Sequence, residues 1–189
     1  MKKKISFIVD SLDFGGAEIS AITTCNESVK NGYITDLVVL RSLGVLEKKL
    51  SPNVNVINFN KDKVRKSIFL LIKYFNNYQP NIVISYLDHI NIITIIAKLF
   101  CLKKFNLIST VHSPFEYGDY LYYSKIKKYF LLGLIKYLLP ISDIIAPVSE
   151  GTKKSTLNLL NQKYHYKVKK IYNPIEAVCI RRNKIKNSD

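Results

Sequence analysis

A doubly wound α/β fold with a mostly parallel, Rossmann-like sheet is the prediction for this chain, and three features of the sequence carry it. Short runs rich in Ile and Val recur along its length, stretches of helical length separate them, and Gly, Asn or Pro stands at nearly every junction. Runs that are apolar on both faces belong to strands covered by helices on each side, which is the signature of a parallel sheet.

The elements follow in order. Ile5 to Val9 is a β-branched run closed by Asp10 and reads as a buried strand. The loop Asp10 to Gly16 leads into a helix from about Ala17 to Lys30, which Asn31-Gly32 stops, Gly being the usual residue just past a helix end. Asp36 to Leu40 and Val54 to Phe59 read as strands, and Lys63 to Phe75 has helical spacing broken by the stretch from Asn76 to Pro80. Ile82 to Leu87 is a strand and Ile90 to Phe100 a nearly all-apolar, buried helix. Phe105 to Val111 is a strand, and Tyr122 to Leu139 a long helix stopped by Pro140. Ile144 to Val148 is a strand, about Gly151 to Leu160 a helix, and Val168 to Tyr172 a last short strand. Residues 1–176 therefore read as one domain, and 177–189 as a basic linker or tail.

Composition narrows the class. With 189 residues, 48% of them hydrophobic and 23% charged, the chain has the balance of one ordered domain. Cys25, Cys101 and Cys179 are scattered and odd in number, which argues for reduced thiols and against a disulfide framework or zinc knuckle. Lys and Arg outnumber Asp and Glu by 29 to 14, a net charge of +15 that attracts anions without choosing among them. No nucleic-acid recognition motif accompanies the charge, and the tyrosines fall in predicted core or helix positions, so a nucleic-acid partner is not expected. The basic start lacks a hydrophobic stretch long enough for a signal peptide, and no run approaches the ~20 apolar residues of a membrane span. The expectation is a cytoplasmic protein.

In an open parallel sheet, ligands bind at the carboxyl ends of the strands. After the first strand come Gly15, Gly16 and Glu18. Paired glycines opening a helix let backbone N–H groups approach a phosphate, although Gly-Gly is also a plain tight turn. The spacing is not G-x-G-x-x-G, which disfavours a nicotinamide cofactor. His112, after the strand ending at Val111, is placed to hydrogen-bond a sugar hydroxyl or carry a proton; the alternative is a histidine bonded to a neighbouring carbonyl. Asp88-His89 could be polar lining of this edge or a helix N-cap, the cap being favoured, and Ser149 reads as the N-cap of a helix whose N-terminus faces the same edge, where it could meet an anion. On the long helix Lys125, Lys128 and Lys136 share a face with Leu121, Tyr129 and Leu132, while Ile126, Phe130, Leu134 and Tyr137 are expected to pack on the sheet. That lysine face suits an anionic membrane surface, or equally a solvated face whose stems cover the core.

In order along the chain, Gly15-Gly16-Ala17-Glu18, Thr110-Val111-His112-Ser113, Ala146-Pro147-Val148-Ser149 and Tyr172-Asn173-Pro174-Ile175-Glu176 resemble the motifs of glycosyltransferase family 4, from about Lys4 to Glu176. The resemblance implies one half of a two-domain GT-B architecture, a transferase that retains anomeric configuration, and a nucleotide-sugar donor with no metal or other cofactor. It implies that Gly15 and Gly16 lie against the donor phosphates and that His112 lies near the transferred sugar and the acceptor. It also tips the lysine face toward peripheral membrane contact, with a lipid-linked or saccharide acceptor. The family's donor-binding half has no counterpart before Asp189, so a donor domain is expected in a longer chain or on a separate one. The isolated chain is then inactive, and a noncatalytic membrane-recruitment subunit of a split enzyme is the competing reading.

Overall fold

The computed structural model describes residues 2–116 and 125–174. Six parallel strands run β1 (Lys4–Val9), β2 (Ile34–Val39), β3 (Asn55–Asn58), β4 (Ile82–Tyr86), β5 (Asn106–Val111) and β6 (Ile144–Pro147), in the sheet order β3-β2-β1-β4-β5-β6. Between them lie α1 (Gly16–Lys30), α2 (Ile68–Tyr78), α3 (Asp88–Leu99), α4 (Lys125–Leu138) and α5 (Glu150–Leu159). The doubly wound α/β expectation holds, with β1 central. The strand order reverses between β1 and β4, which is where such sheets open a ligand crevice.

Alternate residues of β1, β2 and β4 feed two cores, and β5 and β6 contribute to one of them. Phe7, Val9, Leu37, Val39 and Tyr86 pack with Ala21, Ile22 and Cys25 of α1 on one face. Ile8, Val38, Val83, Leu107 and Ile145 pack on the other face with Leu71 and Phe75 of α2, Ile95 of α3 and Ile135 of α4. Both faces of the central strands are dry, which is why they read as unbroken apolar runs. Cys25 is buried and Cys101 half-buried, both as free thiols; Cys179 lies outside the described residues.

Boundaries shift for physical reasons. The stretch expected as one helix from Lys63 begins as a 3-10 turn at Val64–Ser67, and α2 then continues to Tyr78, ending at Gln79 in the left-handed region ahead of Pro80. Helix α3 starts at Asp88, and its N-cap is Leu87, at φ 76°, not Asp88 or His89. The last expected strand, Val168 to Tyr172, is reduced to a single bridge between Ile145 and Val168. The segment still donates from Lys169 N to Ile145 O (2.9 Å) and from Ile171 N to Pro147 O (3.0 Å). Pro147 has no N–H to return a bond, so no ladder develops. Ile175, Glu176 and the expected tail lie outside the described residues.

Candidate active site

The carboxyl edge carries four features, beginning with the loop after β1. Leu12 N donates to Ser42 O (3.2 Å) and Leu46 N to Leu12 O (3.0 Å), which folds this loop against the one after β2. Gly44 makes that approach possible, since a Cβ there would collide with the Leu12 carbonyl and the Asp13 nitrogen. Gly15 is the N-cap of α1 in an extended conformation, and Gly16 opens the helix at the solvent-exposed edge. The Glu18 carboxylate folds back over Gly15, where it meets the positive end of the α1 dipole. Glu18 thus covers the glycine loop, and an incoming phosphate at Gly15 would have to displace it.

The second feature is an ion cluster across the reversal point. Asp10 follows β1 and is 6% exposed. Arg41, after β2, grips it with Nε to Oδ1 at 2.6 Å and Nη2 to Oδ2 at 2.5 Å, while His89 Nε2 in the first turn of α3 lies 3.3 Å from Oδ2. Burial pushes the Asp10 carboxyl up, but hydrogen bonds and charge from His89 and Arg41 outweigh it and hold the group at about 2. Both basic partners are about half exposed, so the cluster offers Arg41 and His89 to the crevice from a buried carboxylate anchor. The favoured cap reading of Asp88-His89 misses this, the alternative of polar lining fits His89, and the sequence does not single out Asp10 or Arg41. The signal available was a charged residue directly after each of two apolar runs.

The third feature is His112. Its Nε2 lies 2.9 Å from Thr110 Oγ1, and its ring packs on Tyr86 at 5.5 Å between centroids. Burial lowers the imidazole pKa to about 4, so the ring is neutral near pH 7. Beneath it runs a buried polar network. Thr110 Oγ1 donates to Ser85 O (2.8 Å), Asn91 Nδ2 of α3 donates to Thr110 O (2.8 Å), and Ser85 Oγ donates to Asn91 Oδ1 (2.6 Å). Ser109 and Ser142 extend it at 2.7 Å.

The fourth feature is a cavity of about 210 Å³ lined by Ser20, Thr24, Tyr86, Thr110, Val148 and Asn173, among others. Ser20 Oγ donates to Asn173 Oδ1 (3.1 Å), tying α1 to the segment after β6. Parts of three of the four motif segments meet here. Ser149 caps α5: its Oγ accepts from Thr152 N (3.1 Å) and Ser149 N donates to Thr152 Oγ1 (2.9 Å), a reciprocal box that commits the side chain to the helix. Among the described residues no three of His, Cys, Asp and Glu gather as a metal site would require.

The long helix departs from expectation. Ile126, Phe130 and Tyr137 do not pack on the sheet; they are 85%, 72% and 78% exposed, with Tyr129 beside them. Ile135, on the opposite arc, is the buried residue, and Leu134 is half-buried. Lys136 is exposed, whereas Lys128 is half-buried and lines a cavity toward α5 with Glu116 and Asn158. The Lys125 side chain and Leu121 lie outside the described residues. Among the described residues no helix is long and apolar enough to cross a membrane.

Comparison with known proteins gives a consistent picture. The sequence matches the profile described as Glycosyltransferase Family 4 over residues 14–177. No functionally curated protein matches it. Among solved structures, Anabaena HepE in complex with UDP-glucose superposes with a TM-score of 0.66 at 13% identity, over 92% of this chain and 44% of its own. The lipopolysaccharide outer core galactosyltransferase WaaB gives 0.64 at 16% identity, over 96% and 50%, and a glycosyltransferase from Rickettsia africae 0.61 at 19%, over 90% and 43%. At these identities the likeness speaks for the fold, and this chain spans half or less of each structure's length.

Proposed function

The chain belongs to glycosyltransferase family 4, and on that premise we propose that it is the acceptor-side half of a sugar-nucleotide transferase. It resembles the N-terminal half of GT-B enzymes, and the reaction proposed is transfer of a hexose from a nucleotide sugar to a lipid-linked or saccharide acceptor in cell-surface glycan biosynthesis, with retention of configuration. The observation that supports it best is convergence: Thr110 beside His112, Ala146 with Val148, and Asn173-Pro174 line one cavity, and Ser20 of α1, the helix that Gly15-Gly16 opens, lines it too and bonds to Asn173. The complex of HepE with UDP-glucose supports a nucleotide-sugar donor. The reading invokes no metal. His112 orients a sugar or acceptor hydroxyl, and the Gly15-Gly16 loop meets the donor diphosphate once Glu18 swings aside. Ser149 contributes through the α5 N-terminus it caps.

The rest of the cleft belongs to a donor domain, in a longer chain or a separate one. Nucleotide sugars would be assayed with lipid and saccharide acceptors, with and without that domain. No transfer by the isolated chain and transfer on its addition is the expected result; robust turnover by the isolated chain would overturn the split arrangement.

A second reading, a noncatalytic membrane-recruitment subunit, draws on the exposed Ile126, Tyr129, Phe130 and Tyr137 stripe flanked by Lys136. Tyr and Lys beside apolar side chains suit an anionic bilayer surface, the cytoplasmic face of the cell membrane in this reading. It also serves the catalytic reading by bringing the cleft to a lipid-linked acceptor. Flotation with anionic vesicles, in which Phe130→Ser with Tyr137→Ser binds less and Lys136→Gln makes the remainder less salt-sensitive, tests the surface; binding equal to wild type removes it.

A further inference from the structure

The hydrogen count in the network beneath His112 settles which ring nitrogen carries a proton. The Thr110 hydroxyl has one hydrogen. Its oxygen lies 2.8 Å from the Ser85 carbonyl oxygen, which has no hydrogen to give, so the Thr110 hydrogen is committed there. The same Oγ1 lies 2.9 Å from His112 Nε2. With its own hydrogen spent, Oγ1 can only accept at that contact, and Nε2 must be the donor.

The neighbours hold the β4 and β5 residues that carry these groups in place. Thr110 O accepts from Asn91 Nδ2 (2.8 Å), and the other end of the Asn91 amide accepts from Ser85 Oγ (2.6 Å). Ser85, Asn91 and Thr110 are all 9% exposed or less, so water cannot readily replace any of these bonds. The His112 ring is held against Tyr86 at an interplanar angle of 33°. Burial keeps the imidazole neutral, with its pKa near 4, so a proton on Nε2 leaves Nδ1 bare.

We propose that Thr110 is a positioning residue that locks His112 in the Nε2–H tautomer, so that Nδ1 is left as the hydrogen-bond acceptor of the ring. The group that pairs with Nδ1 is then a hydrogen-bond donor such as a hydroxyl, not a phosphate or carboxylate oxygen. His112 is thereby matched to the sugar or acceptor hydroxyl, and the diphosphate to the other side of the edge. The tautomer assignment stands on the hydrogen bonds alone; identifying the hydroxyl as a sugar's rests on the transferase reading.

The test is long-range ¹H–¹⁵N correlation of the imidazoles in the ¹⁵N-labelled chain at pH 7. The sequence has three histidines, and His89→Gln, His112→Gln and His165→Gln assign the signals by their loss. The expected spectrum shows His112 with a protonated Nε2 and an unprotonated Nδ1. Thr110→Val should move the ring to the Nδ1–H form or to a mixture, and Thr110→Ser should restore the wild-type pattern. A wild-type His112 protonated on Nδ1, or a Thr110→Val spectrum unchanged from wild type, would overturn the proposal. If Thr110→Val does not fold, Thr110→Ala removes the same hydroxyl with less bulk, and the wild-type spectrum alone still decides the tautomer. None of this needs a donor domain or turnover. A spectrum as expected, with no transfer even when the donor domain is supplied, would sink the transferase reading and leave the tautomer lock standing; the reverse result would do the opposite.

Discussion

Two polar clusters share the carboxyl edge of the sheet and are built on opposite principles. At the β1–β4 reversal, Asp10 is a buried ion held by two basic groups that reach water, Arg41 and His89. Next to it, on β4, α3 and β5 under His112, Ser85, Asn91 and Thr110 form a neutral network with every member buried. A charge can be kept at an edge only if its partners stay solvated enough to offset desolvation. A neutral network can sink into the core provided every hydrogen is matched, and it then dictates proton positions above it. The first cluster therefore tolerates partial loss, and the second does not.

Mutations at each cluster sharpen this contrast. On the proposed function, with a donor domain supplied, His112→Ala should reduce kcat by roughly ten- to a thousand-fold, as for loss of a positioned catalytic group, with little change in Tm. A clear Tm loss with turnover intact would make His112 a packing residue. Asn91→Ala strips a partner from both Ser85 Oγ and the Thr110 carbonyl, and should cost about 2–4 kcal/mol in urea unfolding. A cost below about 1 kcal/mol would mean that water enters the network and that the contrast between the clusters is false.

Asp10→Asn should cost less, about 1–2 kcal/mol at pH 7, because Arg41 is 45% exposed and regains water. It should also alter the acid limb. Asp10 has a folded pKa of about 2, below its ordinary 3.8, so the unfolded chain binds more protons in that window and stability falls as pH drops from about 3.8 toward 2. The variant loses that component. His112 gives a second acid loss by the same sign, between its ordinary 6.5 and about 4, which Asp10→Asn leaves in place. Urea titrations of both proteins from pH 7 to pH 2 would separate the two windows.

The smallest effects distinguish two glycines of the loop region. Gly44→Ala forces a methyl into the Leu12–Asp13 backbone and should cost about 1–3 kcal/mol. Gly15→Ala meets only the movable Glu18 carboxylate in an extended backbone that any residue adopts, and should change stability by no more than about 0.5 kcal/mol. Equal losses at the two would mean that Glu18 is not free to swing aside.

Much of the fold was legible because its causes are local. The Ile- and Val-rich runs at Ile5–Val9, Ile82–Leu87 and Phe105–Val111, the helix stop at Asn31-Gly32 and the Ser149 cap each rest on neighbours within a turn or two, and each appears close to where the sequence puts it. The first three motif segments likewise fall in and around the ends of β1, β5 and β6, and Asn173 of the fourth bonds to α1. What could not be read is what depends on partners far along the chain. Asp10 finds Arg41 and His89 at separations of 31 and 79 residues, and Asn91 reaches Thr110 across 19. The α4 helix is apolar around most of its circumference, so spacing alone does not say which arc meets the sheet; packing put Ile135 inside and left Ile126, Phe130 and Tyr137 in solvent. By itself the sequence determined the alternation of elements, the Ser149 cap and the Asn31-Gly32 stop, because periodicity and capping are short-range. Only the tertiary structure decided which polar groups pair there and which nitrogen of His112 holds the proton, because a buried hydrogen bond depends on strand register and on every other donor and acceptor within reach.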